Sequence, residues 1–517
     1  MSLYSLTQGD WLCHAATQQS SYKLQVAKLR GTIYDCRKKP LTNNESMNVA
    51  TIIPSKETAN SLSKQLNEKE RSELFALMKK GKPFLFQLNK RAVLSDDIDI
   101  FKVPKRYSIN QQAPHIIGYL NGSKDGVSGI EKAYNDYLKD TNAVIEVRYK
   151  VDAINRVLTG VQREVTDKSY LQTKGVMLTI DSRLQKIAQS AAQKYLHSGA
   201  VVITEVPNCK IRASVSIPNF SPNNITSALK SENSPLLNRA ITKFDVGSTF
   251  KLVTIAAALE SGIPENFKYN CTGSTMVDGT AFHCFDGHSH KVLNMNDAIA
   301  HSCNTYFIEI SKQIGPTKLL SMAKSFGFGS SYELAPGLAA SAGILPSKDE
   351  LKDKKRFANF SFGQGRLMAT PLQIAGMINT IASNGEYHQP CLVEGLVNEN
   401  LEFVKKTKEV EPRRVISEKN AQKIQQFMLS SVEYGTSKKG KPEYLHAAAK
   451  TATAQTGIKS NGQNVIQAWY AGFYPYENPK YCIVILAENG VGGGESCGPI
   501  FKKIADDLYK NLPTSLK

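Results

Sequence analysis

A chain of 517 residues is too long for one hydrophobic core, so at least two domains are expected. Its 41% hydrophobic and 21% charged residues are those of an ordinary globular protein, with no internal repeat and no low-complexity tract. The net charge of +18 favours an acidic partner, but the lysines are spread along the chain and no nucleic-acid motif accompanies them. Nucleic acid is therefore set aside in favour of an anionic membrane surface or an acidic polymer, with plain solubility as the bland alternative. No stretch reaches the eighteen or more apolar residues of a membrane span, and no signal peptide is present.

In chain order, Ser55–Lys82 is polar, rich in Lys and Glu and helical in pattern, which predicts a solvated excursion. Helices are predicted over Ser182–Tyr195, Pro371–Ser383, Glu418–Glu433 and Ile500–Leu512. Short runs with the alternation and branching of strands lie between them, at Ala200–Thr204, Ala468–Phe473 and Tyr481–Ala487. The alternation predicts an α+β arrangement, an antiparallel sheet flanked by helices.

The chemistry concentrates in three short segments. Ser248-Thr249-Phe250-Lys251 opens a helix that is apolar on most sides, with Gly247 before it and Gly262 closing it. Ser248 and Lys251 share one face of that helix, and Ser248 sits at the N-terminus, where the dipole favours developing negative charge. A serine hydroxyl becomes a useful nucleophile only when a base takes its proton, and a lysine can do so only when burial and nearby cations leave it neutral. Alone, Ser-x-x-Lys carries little weight. Here it is followed in order by Ser302-Cys303-Asn304 and Lys450-Thr451-Ala452.

This ordered set resembles the signature of the penicillin-binding proteins and class A β-lactamases. Val246–Lys251, Phe362-Gly363-Gln364-Gly365 with Thr370-Pro371-Leu372-Gln373 and Asn384-Gly385, and Lys450–Gln455 with Ala468–Phe473 are similar to the class B penicillin-binding proteins, the monofunctional wall transpeptidases. Leu178-Thr179-Ile180-Asp181 with Gln185 resembles the entry to their catalytic domain. Arg30-Gly31-Thr32-Ile33-Tyr34-Asp35 and Gly126–Glu131 resemble the two motifs of their non-catalytic pedestal. The resemblance implies an elongated N-terminal pedestal over residues 1–170 and a penicillin-binding transpeptidase fold over 175–517. It also implies a single-pass membrane anchor ahead of the segment corresponding to Tyr22–Leu29, with the catalytic domain outside the cytoplasm. A membrane-embedded glycosyltransferase is the implied partner, peptidoglycan stem peptides the substrate and β-lactams the inhibitors, with no organic cofactor.

Roles follow from the same resemblance. Ser248 is expected to carry the acyl group, Lys251 to act as base, and Ser302 to pass a proton to the leaving amine. Asn304 is expected to hold Lys251 and the substrate amide, and Lys450 to supply positive charge. Thr451 and Thr453 are expected to bind the substrate carboxylate, with the backbone N–H groups of Ser248 and Thr453 as the oxyanion hole. A serine β-lactamase, a D,D-carboxypeptidase and a catalytically weak scaffold are the alternatives. Two departures stand out. Ala452 replaces a glycine on the cleft strand, where its methyl is expected to push back bulky β-lactams unless it faces away. Cys36-Arg37-Lys38-Lys39 replaces the arginine, asparagine and glycine that the family favours after the aspartate.

Nine cysteines, an odd number, argue against an all-disulfide framework. Cys271, Cys284 and Cys303 with His290 make a soft tetrahedral donor set suited to a structural zinc beside the active site, and some class B members are similar in carrying a metal-ligand set here. A Cys284–Cys303 disulfide, buried unreactive thiols, or a different ligand drawn from His283, Asp286 and His288 are the competing readings. Cys13, Cys36, Cys209, Cys391, Cys482 and Cys497 read as structural or incidental.

Overall fold

The computed structural model describes residues 20–88, 95–158, 160–168, 173–460 and 463–511. Cys13, Leu512 and the stretch just before residue 173, where the two expected domains meet, lie outside them.

The N-terminal part is built on two three-stranded sheets. Ser21–Lys28, Val144–Lys150 and Glu164–Asp167 form one; Glu45–Ile52, flanked by Phe84–Leu88 and Ile98–Lys105, forms the other. The predicted excursion Ser55–Lys82 contains two helices, Lys56–Ser63 and Glu68–Met78, capped by the side chains of Ser55 and Asn67. It differs from expectation in having a core of its own. Leu62, Leu66 and Leu74 are buried together with Ile52, Phe84 and Ile98, so a few leucines outweigh a polar average.

The two pedestal motifs meet at one buried carboxylate. Glu131 is fully buried and accepts from Arg30 Nε at 2.7 Å, Arg106 Nε at 2.6 Å and the Tyr107 hydroxyl at 3.0 Å. Burial alone would raise its pKa, but the two guanidiniums hold it below the usual carboxylate range. Asp35 accepts from the backbone N–H groups of Arg37 and Lys39, both at 2.8 Å, and of Ser182 at 3.2 Å, which ties the pedestal turn to the first catalytic helix. Lys38, in the departing tetrapeptide, occupies a left-handed conformation at φ 64°, which explains a family preference for glycine there.

The C-terminal part is a three-layer sandwich around one antiparallel sheet. Its strands are β1 (Gly199–Glu205), β2 (Ile211–Ile217), β3 (Ala448–Ser460), β4 (Gln463–Tyr474) and β5 (Tyr481–Glu488), in the order β2-β1-β5-β4-β3. Both faces are covered, so side chains alternate between two cores. Val201, Ile203, Ile483 and Ile485 pack under helices α1 (Ser182–Tyr195) and α6 (Gly498–Asn511). Ala200, Val202, Val484 and Leu486 belong to the larger core on the other face. That core also takes in α2 (Lys251–Glu260), α3 (Asn304–Ile314), α4 (Pro371–Ala382) and α5 (Glu418–Glu433). The predicted antiparallel sheet flanked by helices is the fold observed. Among the described residues, no helix is long and apolar enough to cross a membrane.

Candidate active site

The nucleophile segment begins where the chain must turn sharply. Gly247 adopts φ +65°, its N–H donates to Gly363 O at 2.9 Å, and a Cβ on Gly363 would lie 1.9 Å from Gly247 O. The Phe362–Gly365 stretch thus supplies a bare backbone on which the turn rests. Gly247–Phe250 forms a 3-10 turn that passes into α2 at Lys251, a tighter start than the plain helix predicted. In such a turn residues three apart eclipse, which stacks Ser248 over Lys251. The helix is buried from Lys251 through Leu259 and ends at Gly262, φ +81°.

Lys251 is fully buried. Its Nζ donates to Ser302 O at 2.7 Å, Ser302 Oγ at 3.1 Å and Asn304 Oδ1 at 2.7 Å, and it stands 5.3 Å from the centre of the Phe307 ring. Burial lowers its pKa to about 7, against a smaller upward pull from the thiols of Cys303 and Cys284. Ser302 presents both oxygens to the amine because it is held at φ 57°, a left-handed conformation costly for a non-glycine residue and found where function constrains the backbone. Asn304 opens α3, and its Nδ2 donates to His283 O at 3.0 Å, which turns the amide oxygen towards Lys251.

The third wall is the edge strand β3. Lys450 is fully buried and its Nζ donates to Thr451 O at 3.0 Å. Burial first, then the nearby Lys251, pushes its pKa well down. Two buried ammonium groups repel, so Lys251 disfavours the charged form of Lys450. Thr451 and Thr453 share one face of β3; Lys450, Ala452 and Ala454 share the other. Ala452 is buried in the core, and its Cβ lies 3.2 Å from the position a Cβ on Gly247 would take. The methyl therefore faces the nucleophile turn behind the strand, which removes the steric basis for the predicted exclusion of β-lactams.

The four metal-ligand candidates converge. Cys271 and Cys284 sulfurs are 3.7 Å apart, Cys284 and Cys303 sulfurs 3.7 Å, and Cys271 Sγ is 3.4 Å from His290 Nδ1. All four donor atoms lie within 4.8 Å of one another. Tetrahedral zinc with Zn–S bonds of about 2.3 Å requires sulfurs about 3.8 Å apart, whereas a disulfide requires about 2.0 Å. The donor set fits zinc, and the sulfurs are unbonded. His283, a rival ligand, is not among the four grouped donors, and its backbone carbonyl accepts from Asn304.

Two residues carry roles that the sequence pattern does not assign. Trp469 in β4 is buried and donates from Nε1 to Asp245 O at 2.8 Å, anchoring the strand that leads to Ser248. Thr436, after α5, accepts from Thr451 Oγ1 at 2.9 Å. Only the Gly435-Thr436 pair just past a helix end marked it.

Residues 199–506 match the family model described as penicillin binding protein transpeptidase domain, and residues 25–171 the model described as penicillin-binding protein dimerisation domain. The chain belongs to the class B penicillin-binding proteins. It is 32% identical to a peptidoglycan D,D-transpeptidase, PbpA, of Mycolicibacterium smegmatis over 62% of this chain and 70% of the relative. It is 25% identical to stage V sporulation protein D of Bacillus subtilis over 98% of this chain and 81% of the relative. Penicillin-binding protein 3 of Mycobacterium tuberculosis, complexed with aztreonam, has a similar fold, with a TM-score of 0.67 at 22% identity, covering 95% of this chain and 98% of that one.

In this class B protein the low pKa of Lys251 has a direct kinetic consequence. A base must be deprotonated, so Ser248 acylation by a penicillin should accelerate as pH rises through about 7 and level off above it. Second-order acylation rates measured from about pH 5 to 9 test this; a profile flat through neutrality contradicts a lysine base.

Proposed function

We propose that this chain is a peptidoglycan D,D-transpeptidase that cross-links stem peptides through a Ser248 acyl-enzyme. The observation that carries the reading is the amine of Lys251, buried one turn from Ser248 and held by Ser302 and Asn304. Ser248 Oγ attacks the carbonyl of the penultimate D-Ala while its proton passes to Lys251. The developing oxyanion lies at the helix start and the free edge of β3. Ser302, within hydrogen-bond distance of Lys251 Nζ, relays the proton to the departing D-Ala amine. An amine from a second stem then attacks the ester, restoring the Ser248 hydroxyl. The incoming carboxylate gives Lys450 the opposite charge that favours its protonated form. A β-lactam enters the same path, but its leaving nitrogen stays tethered, so the ester persists; the aztreonam-bound relative is in keeping with this.

The acceptor decides between this reading and its rivals. A donor peptide ending in D-Ala-D-Ala, mixed with a D-amino acid acceptor, should yield the aminolysis product at the expense of hydrolysis, and Ser248→Ala should yield neither. Hydrolysis alone would move the assignment to a carboxypeptidase, and rapid penicillin turnover to a β-lactamase. A membrane anchor upstream and a glycosyltransferase supplying the glycan strands complete the proposal, on the strength of the family resemblance.

The reading includes a structural zinc held by Cys271, Cys284, His290 and Cys303. With four protein ligands the ion would have no open position, and its contribution would be folding energy for the hairpins that carry His283 and for the Ser302–Asn304 turn. The hydrogen bond between Cys284 and Cys303 draws the Cys284 thiol towards its thiolate form and pushes Cys303 up. Native mass spectrometry of freshly purified, unchelated protein should find one zinc per chain, lost in Cys284→Ala; metal-free protein would contradict it.

A further inference from the structure

We infer that the hairpin tip at residues 151–157 of the pedestal is a lipid contact, with its apolar apex seated in the surface of an anionic bilayer. The assignment rests on the upstream membrane anchor proposed above. The strand Val144–Lys150 returns antiparallel along Ser21–Lys28, and the chain then reverses between Val151 and Val157, which face each other as a bridge. Val151 N–H donates to Ser20 O at 2.9 Å, so the tip projects past the point at which the chain enters the fold. A chain rising from an anchor to Ser20 therefore meets the pedestal at the end that carries this tip.

Surface turns are ordinarily polar, and this one is not. Ile154 at the apex is 58% exposed, Leu158 42% and Val161 48%. A single exposed apolar side chain needs no explanation, but three within residues 154–161 do. The backbone of the tip is equally suited to leaving water. Asp152 N–H donates to Arg156 O at 2.9 Å and Asn155 N–H to Asp152 O at 3.0 Å. The N–H groups of Ile154 and Arg156 donate to Asp152 Oδ1 at 3.0 and 2.8 Å. Donors already paired lose little on entering a lipid interface, where an unpaired one is costly. Asn155 closes the turn at a left-handed φ of 62°, a conformation asparagine tolerates. The one acid of the tip is thus engaged by its own turn, while Lys150 and Arg156 flank the apex with the positive charge that anionic headgroups attract. Apolar apex, paired backbone and flanking cations together are what an interfacial contact needs.

The test is co-sedimentation of the full chain with vesicles of phosphatidylglycerol and phosphatidylcholine in equal parts, at millimolar lipid and physiological salt. Wild type should bind. The double variant Ile154→Ser/Leu158→Ser should lower the partition constant roughly tenfold or more, with an unchanged thermal unfolding midpoint. Arg156→Gln should lower it about fivefold on these vesicles and leave it unchanged on phosphatidylcholine alone. In Ile154→Trp, acyl chains carrying bromine should quench fluorescence beyond the level seen in wild type. A wild type that stays in solution, or a double variant that binds as wild type does, would overturn the assignment. Absence of extra quenching in Ile154→Trp would overturn it as well. If wild type is a dimer that Ile154→Ser/Leu158→Ser turns into monomers, the tip is an interface between copies of the chain and the lipid assignment falls. Penicillin acylation of the same variants is read separately, so failure of the tip to bind lipid leaves the Ser248 chemistry standing, and loss of that chemistry leaves the vesicle result intact.

Discussion

A lysine amine with no access to water is the constraint on which the rest of this cleft depends. Lys251 lies at the start of a helix buried on every side, so its charge is penalised, and among the described residues its hydrogen bonds go to three oxygens from Ser302 and Asn304. Each partner is in turn held by something unusual. Ser302 is kept in a left-handed conformation, Asn304 is oriented by the carbonyl of His283, and Ser248 rides on a glycine turn that only another glycine, Gly363, can support. Strain of this kind persists only where the surroundings over-determine it, and here it serves to aim groups at one amine.

The same arrangement explains why distant parts of the chain converge on the site. The cysteine-bearing hairpins between α2 and α3 meet the residues around Asn304 through His283 O, Cys271 and Cys284, so whatever fastens Cys271, Cys284, His290 and Cys303 together also fixes the amide that holds the base. On the opposite wall, the Thr451–Thr436 pair connects strand β3 to the turn preceding Ser302. The pedestal's buried Glu131 between two arginines ties its motifs together, and Asp35 joins that body to α1.

Features that depend on residue spacing were legible in the sequence. The helix behind Ser248, the antiparallel sheet and the grouping of four soft ligands each follow from periodicity or from motifs quoted residue by residue, because local pattern and tertiary environment agree there. Features that depend on direction were not. Alternation along β3 places the Ala452 methyl behind the strand, and a one-residue difference in register would have reversed that outcome. Lys450 carries its charge in the sequence, but only its burial beside Lys251 reveals the cost of keeping it. Thr436 was invisible because nothing local distinguishes it from any turn threonine; its importance arises from Thr451 and Ala300, which lie far from it in the chain or on another element. The Ser55–Lys82 segment misled through its average composition, since three leucines on one side suffice for a small core.

Everything about this cleft turns on Ser248 being the group that Lys251 activates. The most direct measurement is peptide mapping of the protein after exposure to a penicillin, with Ser248→Ala alongside. A single, slowly released adduct confined to the peptide containing Ser248, and absent from the variant, is expected; an adduct on another residue, or one that survives in Ser248→Ala, would contradict it.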